Sequence, residues 1–257
     1  MKKIFLSLIF NLGLLTTPFI FAQSINDLNF TTENYPPYNF KENKKLQGIS
    51  IDLLDQIFKN LNSKQSINNI PILPWARAYN YTLNNKNNVL FSMTRTKKRE
   101  KLFKWVGPIT NTRIVLFAKK SKNIKIKSFQ DIKKNKIGTV NNDIGEQILH
   151  KMKIDQKQIY QVSGINSLER LLLMLQRDRI DLLCYEETVI KWELKKIGLK
   201  ISDFETVCKI EEAELYYAFH KDTPDEIINK LQNTLDKIKD NGKYQIIIDK
   251  YKNLIEK

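Results

Sequence analysis

Short apolar segments alternate with amphipathic, helix-like stretches along nearly all of the chain after residue 27. The segments that mark this alternation are LNFTTE (28–33), GISIDLLDQIFKNL (48–61), NVLFSM (88–93), RIVLFAKK (113–120), KIGTV (136–140) and RIDLLCY (179–185). Strands that alternate with helices are typical of α/β architecture with largely parallel sheets. Because no repeat or low-complexity linker interrupts the pattern, we expect one large domain or two domains of about 100 residues each.

The first 22 residues have the layout of a secretory signal peptide. Lys2 and Lys3 give a positive start, an apolar run begins at Ile4, and the small residue Ala22 ends the segment. The apolar run is short for a membrane span, and a retained membrane anchor is the alternative interpretation. We therefore predict export with cleavage after Ala22, and no lipid anchor because no cysteine lies near that position.

The chain is strongly basic, with 43 lysines and arginines against 28 acids and a formal net charge of +15. Its lysines are dispersed along the whole sequence. Surfaces that bind nucleic acid cluster their positive charge and use arginine for bidentate contacts. We therefore interpret the lysines as solvated faces and expect no nucleic-acid partner.

Cys184 and Cys208 are the only cysteines. In an oxidising compartment they could form a disulfide, and two separate small thiols are the alternative. Together with His150 and His220 they match no zinc-binding spacing. We expect neither a metal nor a cofactor.

The segment VNNDIGEQILHKM starts a helix directly after the strand KIGTV. Asp143 and Glu146 have the spacing of a helix cap and an acid in the first turn. A strand that enters a helix through so short a turn leaves backbone N–H groups facing the crevice, which makes an anion site by geometry alone. An ordinary capped helix is the alternative.

Two adjacent acids, Glu186 and Glu187, follow the strand IDLLCY. In open α/β sheets, ligands bind beside the carboxyl ends of the strands. A carboxylate at this position could receive a ligand's ammonium group, and a solvated strand end is the alternative.

Aromatic residues and prolines occur together in ENYPPYNF (33–40) and PWARAY (74–79). The prolines stiffen the backbone and hold the rings of Tyr35, Tyr38 and Trp75 at fixed angles. We expect these rings at strand exits beside a cleft, with a place in the hydrophobic core as the alternative.

The segment FSMTRTKKREKLFKWVGPI (91–109) combines hydroxyl side chains, arginines and lysines in one short run. It is consistent with a basic patch for nucleic acid or with a clamp for one small anion. An arginine suits the clamp because its planar fork meets both oxygens of a carboxylate, whereas a lysine offers a point charge.

Several segments, in this order, resemble the extracellular solute-binding proteins of family 3, the polar amino-acid binders of ABC importers. They are ENYPPYNF, GISIDLLDQIF, SMTRTKKR, KIGTV, RIDLLCYEE, ELYYAFHKDTPDEIINKL and DNGKYQIIIDKY. The resemblance covers nearly all of residues 27–252. PWARA, RTKKRE and FKWVGPI are together similar to a branch of the family whose ligands are poorly defined.

The resemblance implies an α/β protein with the type II periplasmic binding protein fold. In that fold two lobes, each a mostly parallel sheet flanked by helices, are joined by two crossing strands. RIVLFAKK would be the first crossing and ELYYAFHK the second. Lobe 1 would comprise 23–115 with 217–257, and lobe 2 would comprise 116–216.

The resemblance also implies a ligand site between the lobes. The hydroxyls followed by T-x-x-R match the family's carboxylate clamp, which in this chain ends with Thr96 and Arg99. Glu186 matches the acid that takes the α-amino group, with Glu187 as a rival. The implied ligand-binding residues are Tyr35, Trp75, Arg77, Ser92, Met93, Thr94, Arg99, Asn142, Asp143, Ile144 and Glu186.

The sequence departs from the family pattern at several positions. The turn before the second-lobe helix is Asn-Asn-Asp, where small residues are usual, and Asp143 would face an anion poorly unless its side chain caps the helix. NNKNNVLF (84–91) lacks the usual Gly-Lys-x-Asp approach to the clamp. Arg77 and Arg95 are additional cations near the site, which favours a ligand with a second acidic group; a structural role, such as pairing with Glu33 or Asp52, is the alternative.

The function implied by the resemblance is capture of an amino acid or related small carboxylate in the periplasm, and its delivery to an ABC permease by a monomeric protein. One alternative is an enzyme similar to cyclohexadienyl dehydratase, which would need Glu33 or Glu186 as a general acid. Another is a ligand-sensing module for a separate receptor. A shared fold does not fix function, and we expect no catalysis.

Overall fold

The computed structural model describes residues 23–255, and the signal peptide predicted at 1–22 lies outside the described residues. In the described range the strands are β1 (Asn29–Thr31), β2 (Phe40–Glu42), β3 (Lys45–Gln47), β4 (Asn88–Thr94), β5 (Phe103–Lys119), β6 (Ile137–Val140), β7 (Ile159–Val162), β8 (Leu182–Glu186) and β9 (Phe204–His220). The α-helices there are α1 (Ile49–Asn60), α2 (Trp75–Asn84), α3 (Phe129–Ile132), α4 (Ile144–Lys151), α5 (Ser167–Gln176), α6 (Glu187–Lys196), α7 (Asp225–Asp240) and α8 (Lys243–Ile255).

Two 17-residue strands, β5 and β9, form the centre of a sheet with the order β1-β4-β9-β5-β8-β6-β7. They pair antiparallel along their whole length, from Phe103 opposite His220 to Lys119 opposite Phe204. On one side β4 pairs with β9 and β1 lies parallel to β4; on the other side β8 pairs with β5, and β6 and β7 follow in parallel. The predicted fold class, an α/β protein of two lobes with two crossing strands, is confirmed.

The two predicted crossing segments form only the C-terminal halves of β5 and β9. Residues 114–117 pair with β8 in the second half of the sheet, and residues 215–219 pair with β4 in the first half. The chain therefore crosses between the halves near the middle of both strands. There Gly107 and Pro108 interrupt the regular pairing of β5, with a register shift between Val106 and Thr110. The predicted lobe boundaries stay a prediction.

Helices cover both halves of the sheet. The C-terminal helices α7 and α8 pack on α1, where Asp52 accepts hydrogen bonds from Lys250 at 2.6 Å and from Tyr251 at 2.9 Å. In the second half, α4 contacts β6 and β8, and a second core cluster that includes Leu149 and Leu182 fills this contact. None of the described helices is both long and apolar enough to span a bilayer.

Cys184 and Cys208 lie on the two strands that flank Leu116 of β5. Leu116 of β5 is the register partner of Cys184 in β8 and of Cys208 in β9. Two strand spacings of about 4.8 Å separate their backbones by roughly 9.6 Å, which exceeds the Cα separation of a disulfide, about 7 Å at most. Both thiols are free, and the disulfide alternative is excluded in this fold.

Candidate functional site

A fully buried arginine lies where the two halves of the sheet meet. Arg99 follows the end of β4 by a short turn, and its side chain has 0% relative exposure. One terminal nitrogen donates to the carbonyl of Thr94 at 3.1 Å, and the other donates to the carbonyl of Asn142 at 2.8 Å. Thr94 ends β4 in the first half, and Asn142 lies just before α4 in the second half, so Arg99 bonds to both halves.

Two aromatic rings cover the guanidinium of Arg99. Its central carbon lies 5.1 Å from the ring centroid of Trp75 and 5.3 Å from that of Tyr79. Both rings come from the first turns of α2, which starts at Trp75. A cation held against ring faces away from water is stabilised by their quadrupoles. Desolvation lowers the pKa of Arg99 from its usual range, and the nearby carboxylate of Asp143 opposes this effect.

The side chain of Gln147 also contacts Arg99, a role that the sequence analysis did not predict. The hydrogen-bond network orients its amide oxygen toward Arg99, where it accepts from Nε and from a terminal nitrogen at 2.9 Å each. The amide nitrogen then donates to Thr96 Oγ1 at 3.2 Å. The opposite orientation would set an NH₂ group against guanidinium donors. The one available sequence signal was the position of Gln147 in the first turns of the helix after the predicted ligand turn.

The residues of the predicted clamp point in different directions. Ser92 has φ of 59°, and its hydroxyl bonds to Asn39 and, at 2.7 Å, to the hydroxyl of Ser50. Met93 is fully buried in the main hydrophobic core. Thr94 meets Arg99 through its carbonyl. At the end of β4, the backbone carbonyl of Thr94 therefore accepts from Arg99, whereas the hydroxyl of Ser92 bonds to the side chains of Asn39 and Ser50.

The start of α4 differs from the predicted anion site. The backbone N–H of Asn142 donates to Glu146 Oε2, and that of Asp143 donates to the carbonyl of Val140 at 3.2 Å. Asp143 occupies the N-cap position without a side-chain capping bond. Two of the three expected N–H donors therefore already have protein partners. The third expected residue, Ile144, is buried and packs in the second core cluster.

Buried carboxyl groups face this region. Asp143 is 7% exposed, and its Oδ2 has no hydrogen-bond partner among the described residues. Burial raises the pKa of Asp143 to about 6, although the positive charge of Arg99 opposes the shift. Burial also raises the pKa of Glu33 well above its usual range, and the charge of Asp143 adds to that effect. The environment of Arg99 thus contains acids that lack a full counter-charge.

Glu186 is the one of the two adjacent acids that lies at the contact between the halves. It is 1% exposed and caps α6 by accepting from the N–H of Val189 at 2.7 Å. Its other oxygen accepts from the hydroxyl of Tyr38 at 3.2 Å. Burial raises the pKa of Glu186, and these hydrogen bonds oppose the shift. Glu187 instead pairs with Arg113 and Lys191, at 3.0 Å each.

Tyrosine rings from both halves also pack against each other. The ring of Tyr35 lies 5.3 Å from that of Tyr38 and 5.9 Å from that of Tyr185, which belongs to β8. Beside this contact a groove of about 870 Å³ runs along the centre of β5 and β9. Its walls include Thr112, Glu186 and Lys191. The volume lies within the range of small-molecule sites.

The two additional arginines differ in their surroundings, and Arg95 is one of the residues that line the groove. Arg77 is on the exposed face of α2. Arg95 forms a bidentate pair with Glu100, at 2.8 and 2.6 Å, and stacks against Trp105. The structural alternative for Arg95, pairing with an acid, is therefore observed, with Glu100 as the partner.

The arrangement supplies one buried cation, two buried acids and one half-buried acid at the contact between the two halves. Such a set can hold a zwitterion, because each charge of the ligand would meet an opposite charge away from water. Among the described residues, no group of three or more His, Cys, Asp or Glu side chains is placed to hold a metal ion.

Comparisons with known proteins point to one family. A Campylobacter jejuni protein named as a probable histidine-binding protein is 25% identical over 229 residues, which cover 86% of this chain and 82% of that protein. An ancestral arginine-binding protein bound to arginine is 24% identical with a TM-score of 0.72, over 87% of this chain and 96% of that one.

A histidine kinase sensor domain with similarity to periplasmic binding proteins is 15% identical with a TM-score of 0.76, over 87% of this chain and 94% of that one. At such identities the two solved structures share the fold with this chain. The family model for bacterial extracellular solute-binding proteins, family 3, matches residues 29–253. The chain belongs to that family of bacterial extracellular solute-binding proteins.

Proposed function

We propose that the protein captures an amino acid or a related small carboxylate between its two lobes and delivers it to an ABC permease. The burial of Arg99 at the contact between the halves, under the rings of Trp75 and Tyr79, is the observation on which the proposal rests. A buried guanidinium that meets a ligand carboxylate contributes direction as well as charge.

The ligand carries at least one ammonium group in this proposal. Asp143 and Glu186 are buried acids and Glu33 is a half-buried one, and their pKa values are raised because desolvation disfavours their ionised forms. A ligand cation would compensate for that cost, since an opposite charge nearby favours the ionised carboxylate. The similar proteins named for histidine and arginine support basic amino acids as the first ligands to test.

Lobe closure couples capture to delivery. In this proposal lobe 1 comprises 23–115 with 217–257, and lobe 2 comprises 116–216. The contacts of Arg99 with Asn142 and of Tyr38 with Glu186 join these parts. Closure on the ligand would complete a surface that the permease recognises, so the ligand selects the delivered state.

The protein acts as a monomer in the periplasm, after export directed by the signal peptide at 1–22, and it binds without chemistry. The raised pKa of Glu33 would suit a general acid, so catalysis is tested directly. Incubation with prephenate should yield no phenylpyruvate. Formation of phenylpyruvate at a rate that depends on Glu33 would replace binding by catalysis.

Thermal-shift screening of the chain 23–257 against amino acids, dicarboxylates and polyamines tests the proposal. A ligand at 100 times its dissociation constant adds roughly 2.7 kcal/mol to the free energy of unfolding, which shifts the melting temperature measurably. At least one amino acid should stabilise the parent. Stabilisation by polyamines alone, or by no compound, would contradict the proposal. Delivery is tested separately by the uptake of the labelled amino acid in cells with and without the protein.

A further inference from the structure

We propose that Gln147 limits the affinity of the site for its ligand: its amide oxygen occupies the edge of Arg99 that the ligand's carboxylate takes on binding. The inference rests on the proposed function, because it assumes a ligand with a carboxylate. In the absence of the ligand's carboxylate, the amide of Gln147 binds Arg99 in its place, and the ligand has to displace this amide.

The geometry at Arg99 supports this assignment. The oxygen of Gln147 lies 2.9 Å from Nε and 2.9 Å from a terminal nitrogen, and so it accepts from one complete edge of the guanidinium. Carboxylates bind arginine by two parallel N–H···O bonds along such an edge. The carbonyls of Thr94 and Asn142 each accept a hydrogen bond from one of the terminal nitrogens. A bidentate carboxylate therefore needs the edge that Gln147 occupies.

Gln147 also joins the two halves, as a ligand between them would. It lies on α4 in the second half, whereas Arg99 and Thr96 follow β4 in the first half. Its oxygen contacts Arg99 and its nitrogen contacts Thr96 Oγ1 at 3.2 Å. The amide thus makes a contact across the same interface that we propose the ligand closes.

This exchange discriminates between carboxylates and neutral groups. A charged acceptor forms hydrogen bonds roughly twice as strong as those of a neutral one. A ligand carboxylate therefore displaces the amide of Gln147 with a gain in free energy. A ligand whose carboxylate is replaced by an amide presents a neutral oxygen to Arg99, and Gln147 already provides such an acceptor. Because each ligand has to displace the same amide, Gln147 lowers the affinity for all of them by the same factor, and the preference for a carboxylate comes from Arg99 itself.

The discriminating experiment compares L-arginine and L-histidine with their α-amides by calorimetry, on the parent and on Gln147→Met. Methionine keeps the length of the side chain and removes the acceptor. The parent should prefer the free amino acid by at least a hundredfold. Gln147→Met should bind the free amino acid and its α-amide each at least tenfold more tightly than the parent and keep this preference, because the cost of displacing the amide of Gln147 is removed for both ligands. Gln176→Met is a matched control, because Gln176 is exposed at the end of α5, and it should keep the parent's affinities for both ligands.

A second variant tests the same contact by strengthening it. Gln147→Glu places a carboxylate at the edge of Arg99, and a charged acceptor is harder for the ligand to displace than the neutral amide. The variant should therefore bind L-arginine and L-histidine at least a hundredfold more weakly than the parent.

The outcomes separate the two claims. If the parent binds no amino acid, the proposed function fails, and this inference fails with it. If the parent binds an amino acid but Gln147→Met binds it no more tightly than the parent does, this inference alone is wrong. Binding of L-arginine or L-histidine by Gln147→Glu as tight as by the parent would likewise contradict the assignment of Gln147.

Discussion

A terminal nitrogen of Arg99 lies 2.8 Å from the carbonyl oxygen of Asn142, across the contact between the two halves of the molecule. Arg99 follows β4 in the first half, and Asn142 precedes α4 in the second. The residue that we propose to bind the ligand's carboxylate therefore also joins the halves directly. Because one side chain takes part in both contacts, we expect ligand binding and lobe closure to be energetically coupled.

Replacing Glu186 by Gln should weaken the binding of an amino acid by tenfold or more. A hydrogen bond to a charged group contributes about 1.5 to 3 kcal/mol, and about 1.4 kcal/mol corresponds to a factor of ten in affinity. Gln keeps an oxygen that can accept from the N–H of Val189, so α6 stays capped. Calorimetry on the variant measures the loss.

Glu187→Gln is the matched control for that prediction. Glu187 pairs with Arg113 and Lys191 on a partly exposed surface, where an ion pair contributes little. We expect its affinity for the amino acid to stay within about twofold of the parent's, which is under 0.5 kcal/mol. A larger loss in Glu187→Gln than in Glu186→Gln would exchange the roles of the two acids.

The stability of the protein should fall as pH rises from about 4 to about 6, partly because of Asp143. Burial raises the pKa of Asp143 from 3.8 to about 6. Between these values the folded chain holds the proton more tightly than the unfolded chain does, so folding is favoured at the acidic end. The shift corresponds to about 3 kcal/mol of unfolding free energy, which is present below pH 4 and lost above pH 6.

Chemical denaturation of the parent and of Asp143→Asn at several pH values between 4 and 7 isolates this contribution. The raised pKa of Glu186 affects both proteins alike, whereas the loss of the Asp143 charge also makes the pKa of Glu33 less raised in the variant, so the difference reports Asp143 together with its effect on Glu33. The difference in unfolding free energy between parent and variant should therefore change with pH in the stated direction. A difference that is constant across this range would show that Asp143 ionises normally in the folded protein.

The two thiols should behave as separate free groups. Cys184 is fully buried in β8, whereas Cys208 is partly exposed in β9. A thiol-specific reagent should modify Cys208 in the native protein and both residues in denaturant. A reducing agent should leave the melting temperature unchanged. A native protein that reacts at neither residue until it is reduced would indicate a disulfide and an error in the register around Leu116.

The sequence analysis located the residues of the site that belong to local motifs. Arg99 was found because it lies within a few residues of Thr94 and Thr96 along the chain. Gln147 was missed because it is far from Arg99 in sequence, and only the packing of α4 against the end of β4 brings the two together. A local pattern does not contain such a long-range contact.

At two places the structure contains contacts or strand length that the sequence pattern did not indicate. The expected anion site at the start of α4 requires free N–H groups, yet Glu146 accepts the N–H of Asn142. The strands β5 and β9 were predicted at half their length. Residues typical of loops occur in both: Gly107 and Pro108 in β5, and the acids of the segment EEAE (211–214) in β9. These strands cross between the halves, where polar residues remain in contact with solvent.

The central claim is that Arg99 binds the carboxylate of a ligand held between the lobes. Replacing Arg99 by Ala would leave that carboxylate buried without a counter-charge, a loss of roughly 3 to 5 kcal/mol, or at least about a hundredfold in affinity. Arg99→Lys should recover part of this loss because it keeps the charge without the two parallel bonds. Lys97→Ala, on the exposed flank of the same turn, should bind as the parent does.

Isothermal titration calorimetry of the parent, Arg99→Ala, Arg99→Lys and Lys97→Ala, with the amino acid that most stabilises the parent, tests this claim most directly. We predict the affinity order parent and Lys97→Ala, then Arg99→Lys, then Arg99→Ala, with all four proteins folded by circular dichroism. Binding by folded Arg99→Ala that is as tight as binding by the parent would contradict the claim.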